Sequence, residues 1–411
     1  MVLFWLIVIA GWWRVFGPAA TLAAVILFAF LPPGVLGENS AEIALLAIGI
    51  LLALATLSPV NAPKAGTRGA RQTASALHLP IVLSLLVAGC GLGWLTYALI
   101  PSGVPVQVGV AVGLMFLLGS GLLLVLANRA GLAESMLRAF GWLLVPALIL
   151  FLVAWSLGFE RTSVIRLPYR RLVFFEPGAL ANGSGGFLQP LPRFTGMVGE
   201  PGLLVLMILA GLWVAVSLEK GIRRWVLLIC SLVGAVLSQS TASAIAVAAF
   251  LSALLLSVTL RKKGVLAATA VAVPLLAGLA WSTANLLQLK AVTNVTSSQD
   301  RGFSGGQFDF NNLAGTITML GALRAYPLIA LPLVMLTILV ATRLRRDGPT
   351  AALSIGLLVV SLGSQPLQLH VGVWIVLGMA VTVFPRIQAT PRSYPESPPA
   401  LSRSRGMEQP W

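Results

Sequence analysis

Apolar stretches long enough to cross a lipid bilayer recur along almost the whole chain, and no other feature limits the possible folds so strongly. A transmembrane helix needs about 20 apolar residues, and only helices or closed barrels satisfy every backbone polar group inside the hydrocarbon. Only 9% of the residues are charged, which is too few for a soluble domain of this length. We therefore predict an all-α protein, a polytopic transmembrane helix bundle of about 12–13 spans.

The hydropathy pattern places the predicted spans between short polar connections. A loop marked by Arg129 and Arg138 precedes the span at about 139–158, and the span at about 203–218 begins after Pro201. Spans are predicted, among others, at about 79–100, 106–127, 139–158, 203–218, 225–238, 243–260, 351–363 and 371–384.

The basic residues orient this set of helices. Most of the 27 Lys and Arg residues fall in alternate loops, which the positive-inside rule assigns to the cytoplasm. Two longer loops, 159–200 and 283–312, then lie together on the extracytoplasmic face. The sequence thus predicts one transmembrane domain over residues 1–385 in the cytoplasmic membrane. A Pro-, Ser- and Arg-rich tail, 386–411, is expected to be disordered and cytoplasmic.

Charge and residue usage exclude several classes of function. The net charge of +15 is explained by the cytoplasmic loops, so we expect no nucleic-acid partner. Cys90 and Cys230 fall inside apolar spans and are interpreted as small hydrophobic residues. With His78 and His370 as the only histidines and no paired-acid or Walker motif, we predict neither a metal site nor a cofactor.

Polar residues gather where the first long loop ends. Arg193, Gly196, Gly199 and Glu200 precede Pro201, a residue suited to the first turn of a helix. Glu200 is therefore predicted at or beside the helix N-cap, where a negative charge is favoured. Its role is either capping combined with an ion pair to Arg193, or that of a general base.

The same loop carries more arginines than the positive-inside rule favours on the outer face. Arginine binds phosphate through two parallel hydrogen bonds and stays charged, so these residues suit a lipid-linked phosphate or diphosphate. The alternative is headgroup anchoring by an interfacial helix at 169–175. The arginines concerned, besides Arg193, are Arg161, Arg166, Arg170 and Arg171.

Three further polar features lie on the predicted outer face. The turn from Ser238 to Ser243, which contains Gln239, Ser240 and Thr241, joins two spans, and its side chains either cap backbone groups or line a polar pocket. Arg301 precedes a glycine-rich, aromatic stretch that is either a sugar-contacting loop or a connector. His370 is either an interfacial side chain or a base.

Three of these places resemble the O-antigen polymerase and O-antigen ligase superfamily of bacterial envelope glycan enzymes. The segment 193–201 is similar to the family's R-x-x-G-x-x-x-E/D-P motif, and 237–242 is similar to its Ser/Thr-rich turn. Arg301 occupies the place of another arginine common in the family. The chain departs from the family pattern in two places. Val371 follows His370 where ligase-type members have a polar residue, which favours a polymerase over a ligase. The turn has Gln239-Ser240 where many members have Ser-Arg, so the set of arginines differs from the family's.

The resemblance implies a GT-C-like, metal-independent membrane glycosyltransferase. It would polymerise undecaprenyl-diphosphate-linked repeat units into a surface polysaccharide, an O-antigen or exopolysaccharide, on the outer face of the cytoplasmic membrane. Its partners would be the lipid-linked oligosaccharide, membrane lipid, and a flippase and chain-length regulator of the same pathway. The alternatives are a ligase-type glycan transferase, a flippase of lipid-linked oligosaccharide, or a non-catalytic subunit.

The resemblance also assigns roles to residues. Arg193 and Arg301 would bind the diphosphate, with Arg170 and Arg171 as outer guides. Glu200 and His370 are the candidates for the catalytic base. Gln239, Ser240 and Thr241 would contact the substrate.

Overall fold

The protein is described as a computed structural model, and the part of the chain that it describes is mostly helical. The described residues are 14, 15, 17, 70–99, 106–157, 164–167, 170–173, 175–176, 193–196, 202–293, 303–304, 307–308, 334, 338, 340, 346–363 and 371–389. The helices are α1 (Ala70–Ala98), α2 (Val106–Asn128), α3 (Ala130–Trp142), α4 (Leu144–Ser156), α5 (Val205–Ser217), α6 (Gly221–Leu237), α7 (Thr241–Thr293), α8 (Gly348–Gly363) and α9 (Val371–Ala389).

Among the described residues, three helical stretches are long and apolar enough to cross a membrane: Leu79–Thr96, Gly131–Val153 and Thr241–Ser282. The second runs through α3 and α4, because Leu143 between them keeps helical angles (φ −60°, ψ −22°). The third is interrupted at Gly264, whose positive φ of 83° breaks α7. Shorter apolar helices occur at Val112–Asn128, Val205–Ser217, Gly348–Ser361 and Val371–Phe384. This architecture is compatible with a helical membrane protein.

Helix α5 lies at the centre of the described bundle. Every residue from Leu203 to Ala215 is buried, as expected for a helix that is apolar on all sides. It packs against α3, α4, α6, α7, α8 and α9. The span that follows the Arg193 segment is therefore the core around which the neighbouring helices pack.

Basic residues that are far apart in the sequence lie at one end of this bundle, which we call the basic end. The Arg138 guanidinium donates to the Leu218 carbonyl at 3.4 Å and lies 3.7 Å from the Glu219 carboxylate. Arg261 donates to the Arg346 carbonyl at 2.6 Å. We define the basic end by Arg138, Lys220, Arg223, Arg224, Arg261, Lys262, Lys263 and Arg346.

A buried contact aligns α8 with this end. The Trp213 indole, near the C-terminus of α5, donates to the Thr350 hydroxyl at 3.3 Å in the first turn of α8. Helix α6 starts at the basic end with Gly221 and runs away from it to Leu237. Basic residues that the charge pattern assigns to one side of a membrane thus lie at one end of the bundle.

The structure corrects two predicted segments on the first half of the chain. Arg138 is not in a loop but inside α3, where it forms an i,i+4 pair with Glu134 at 3.2 Å that favours helix. The prediction of an interfacial helix at 169–175 is wrong. That segment contains β2 (Arg170–Val173), which pairs antiparallel with β1 (Val164–Leu167). The β-branched residues Val164, Ile165 and Val173 favour strands over helix, and they pair across this hairpin.

Two boundaries in the second half are also corrected. Helix α7 continues to Thr293, so the second long loop does not begin at 283; the intervening Leu, Gln, Lys and Ala residues are good helix formers. Helix α9 continues to Ala389, so residues 386–389 are helical and not part of a disordered tail. Within the second loop, β5 (Phe303–Ser304) and β6 (Gln307–Phe308) form a short antiparallel pair.

Candidate functional site

Arg193 lies on a short strand next to the helical bundle. Strand β4 (Arg193–Phe194) pairs antiparallel with β3 (Phe175–Glu176), and the register sets Glu176 opposite Arg193. The Arg193 side chain is half-buried. The first long loop therefore folds back on itself, so that its acidic residue 176 is the strand partner of the predicted phosphate-binding arginine.

Phe194 fixes this strand to the bundle. Its ring is fully buried and lies 5.1 Å, centroid to centroid, from the ring of Phe151 on α4. A Cβ built on Gly234 of α6 would lie 3.6 Å from the Phe194 ring, which is ordinary contact. An aromatic pair and a close helix thus hold the backbone next to Arg193.

Gly196 explains the spacing of the Arg-x-x-Gly segment. Its φ is +58°, in the left-handed region that glycine adopts at little cost. A Cβ at this position would lie 2.7 Å from Leu204 Cδ1. The chain turns at Gly196 directly against the residue that leads into α5.

We expect Gly196→Ala to destabilise the protein, because alanine is strained at this φ and its methyl group would press on Leu204. The left-handed conformation alone costs about 1–2 kcal/mol. The measurement is the apparent Tm of the purified protein in detergent. Gly89→Ala in α1 is the matched control, since a Cβ there meets nothing within 4 Å and should leave the Tm equal or higher. Equal Tm values for the two variants would contradict this explanation.

Glu200 is not at the N-cap. Helix α5 begins at Val205 with Leu204 as its N-cap, and the first regular helical hydrogen bond runs from the Ile208 N–H to the Leu204 carbonyl at 3.1 Å. Residues 202–204 form a turn instead, consistent with the low helix propensity of Gly202. Glu200 itself lies outside the described residues, as does any ion pair between it and Arg193.

The polar turn between α6 and α7 is buried. Ser238, Gln239, Ser240 and Thr241 are 0%, 3%, 8% and 3% exposed. The Ser238 hydroxyl donates to the Ala235 carbonyl at 2.7 Å and accepts from the Ser240 N–H at 3.3 Å. The capping interpretation therefore holds for Ser238, which satisfies backbone groups at the end of α6.

Gln239 has an unusual backbone conformation. Its φ of +46° is the one positive value among the described residues other than glycine. It follows Ser238, the C-cap of α6, and its N–H bonds to the Val236 carbonyl at 3.1 Å. Glycine or asparagine is the usual residue in a left-handed helix cap. Backbone strain at a buried polar residue is typical of functional sites, so we expect the Gln239 side chain to have a role beyond the cap.

The Arg193 strand and the polar turn lie at the same end of α6, which we call the polar end and define by residues 193–196 and 238–243. Phe194 contacts α6 at Gly234, and Gln239 follows five residues later, about 7–8 Å farther along a helix axis. The basic end is at the other terminus of this helix. Two of the sequence-predicted groups are thus brought to one end of the bundle.

The remaining predicted site residues are not placed against this pair. Arg170 and Arg171 lie on β2, with Arg171 opposite Arg166 and Arg170 opposite Leu167. Their side chains are outside the described part of the chain. Arg301 and His370 are also outside it, His370 directly before α9. Within the described residues, no group of three His, Cys, Asp or Glu side chains is arranged to hold a metal ion.

Phe194 was not predicted to contribute to the polar end, and Ser243 was predicted only as a member of the turn. In the sequence Phe194 looked like one more apolar residue, and its role follows only from its contacts with Phe151 and Gly234. Ser243 is fully buried, and its hydroxyl has no hydrogen-bond partner within the described residues. Its place in the first turn of α7 follows only once the helix start at Thr241 is known.

Comparisons of the chain with protein-family models, with curated proteins and with solved structures found no match.

Proposed function

We propose that the protein is a membrane glycosyltransferase that polymerises undecaprenyl-diphosphate-linked repeat units into a surface polysaccharide. In this proposal it is a GT-C-like bundle of about 12–13 spans in the cytoplasmic membrane, with its site on the extracytoplasmic side. The observation that carries the proposal is the packing of the Arg193 strand, through Phe194, on the helix that ends in the buried Gln239 turn. A half-buried cation and neutral hydrogen-bonding groups thus share one end of an apolar bundle.

This combination suits transfer of a glycan from a lipid diphosphate. The bond that breaks joins the sugar to the diphosphate, so negative charge develops on the leaving phosphate oxygen. Arg193, together with Arg301, would stabilise that charge without a metal ion. Glu200 or His370 would accept the proton of the attacking sugar hydroxyl. Side chains of the polar turn would bind sugar hydroxyls.

Cells that lack the protein test this proposal. They should accumulate single lipid-linked repeat units on the outer leaflet, where a glycosidase added to spheroplasts can reach them, and should lose long chains. A flippase would instead leave the units protected on the inner leaflet. A ligase would leave long lipid-linked chains that are not transferred to their final acceptor. Either of those two results would replace the polymerase proposal.

The proposal requires the polar end to face away from the cytoplasm. We test this in a Cys90→Ala, Cys230→Ala background with single cysteines at Leu157 and at Lys263. Leu157 follows the helix whose Phe151 contacts Phe194 of the polar end, and Lys263 belongs to the basic end. Leu157 is 68% exposed, and Lys263 is also exposed. A membrane-impermeant maleimide should label Leu157→Cys in intact spheroplasts and Lys263→Cys only after permeabilisation. The reverse pattern would invert the orientation.

A further inference from the structure

The Ser243 hydroxyl lacks a partner although it is completely shielded from solvent. The residue is 0% exposed, and its Oγ has no hydrogen-bond partner within the described residues. Buried side-chain polar groups are nearly always paired, so an unpaired hydroxyl at a helix N-terminus is a candidate to pair with a bound group.

Ser243 belongs to the first turn of α7. The Ala244 N–H bonds to the Ser240 carbonyl at 3.1 Å, which makes Ser240 the residue that begins the helix. Because Cα–Cβ bonds on a helix tilt toward its N-terminus, we expect the Ser243 hydroxyl on the side of the opening turn. The first N–H groups of a helix have no acceptor within it, and the helix dipole gives this end partial positive charge.

We infer that the first turn of α7 and the Ser243 hydroxyl together bind an oxygen of a phosphate or diphosphate group. Helix N-termini are favourable sites for such anions. The adjacent Gln239, Ser240 and Thr241 are at most 8% exposed, so a charge-assisted hydrogen bond would form in surroundings largely free of water. The identity of the ligand as a lipid-linked diphosphate rests on the proposed function; the anion site does not.

The chain offers a matched control for Ser243. Ser231, on α6, is also 0% exposed, and its hydroxyl likewise has no partner within the described part of the chain. It lies in mid-helix against α5, where a Cβ on Gly211 would be 2.6 Å from the Ser231 Oγ. Ser243→Ala and Ser231→Ala therefore remove the same group at the same burial, but only the first removes it from a helix N-terminus.

The experiment measures the Kd of the purified protein for three probes: undecaprenyl diphosphate, inorganic diphosphate and undecaprenol. Ser243→Ala should weaken binding of the lipid diphosphate about 10-fold or more, the effect of losing one hydrogen bond to a charged group. Ser231→Ala should leave the affinity unchanged. Neither variant should lower the Tm, because the hydroxyl removed has no partner in the unliganded protein.

The three probes separate the possible sources of the anion. Weaker binding of both diphosphates by Ser243→Ala assigns the site to any diphosphate, and an effect on the lipid form alone assigns it to the lipid headgroup. An unchanged affinity, an equal loss in Ser231→Ala, or an equal loss for undecaprenol would overturn the inference. A protein that binds diphosphate through Ser243 but makes no polymer would refute the proposed function alone.

Discussion

Replacement of Arg193 by alanine is expected to lower polymerisation about 30- to 1,000-fold, which corresponds to about 2–4 kcal/mol of transition-state stabilisation. The side chain is half-buried at the polar end, where its charge is screened less than on an open surface. Arg301→Ala should have an effect of similar size, because both arginines are proposed to bind the same diphosphate. Arg193→Lys should restore little activity, since lysine keeps the charge but not the paired N–H donors.

The measurement is the chain-length distribution of glycan made at matched protein levels. Arg224→Ala is the control, because Arg224 is exposed at the basic end and should be dispensable. The strand register supplies a competing explanation, in which Arg193 only pairs with residue 176 across the strands. In that case Glu176→Gln would reproduce the defect of Arg193→Ala. Equal defects in these two variants, or near-normal chains from Arg193→Ala, would contradict the proposed role.

Replacement of Gln239 by glycine is expected to raise stability and lower activity together. Glycine relieves the left-handed strain at φ +46°, worth about 1–2 kcal/mol for other residues. It also removes the one side-chain amide of a buried polar turn. If this amide binds the substrate, polymerisation should fall about 10-fold or more while the apparent Tm rises.

Gln239→Ala separates the two effects, because alanine loses the amide but remains strained at a positive φ. It should show the same loss of activity as the glycine variant without the gain in Tm. Normal activity in both variants would show that Gln239 serves only as a helix cap.

The helices followed from hydropathy because apolar runs of this length have few other structures available to them. The turn between α6 and α7 was located to within two residues, since its hydroxyl and amide side chains interrupt two apolar runs. The central position of α5 was not predicted. A run from Leu203 to Ala215 without a polar face is equally suited to contact lipid or other helices, and only tertiary packing decides between them.

The details of the polar end depend on tertiary contacts that a linear pattern does not contain. The hairpin of β1 and β2 was missed because four-residue strands in an arginine-rich segment carry too little alternation to be distinguished from an amphipathic helix. The conformation of Gln239 opposes the local preference of glutamine, so the packing of the two helices must impose it. The proximity of Phe194 to Gly234 joins residues 40 positions apart through a buried ring.

The decisive measurement is polymerisation by the purified protein in proteoliposomes. The donor and acceptor would be a defined undecaprenyl-diphosphate-linked repeat unit, with EDTA present and no other protein added. We expect a ladder of glycans that lengthens with time, together with release of undecaprenyl diphosphate. The ladder should be lost in Arg193→Ala but not in Arg224→Ala. Translocation of the unit without any new glycosidic bond, or a ladder that requires added Mg²⁺ or Mn²⁺, would contradict this expectation.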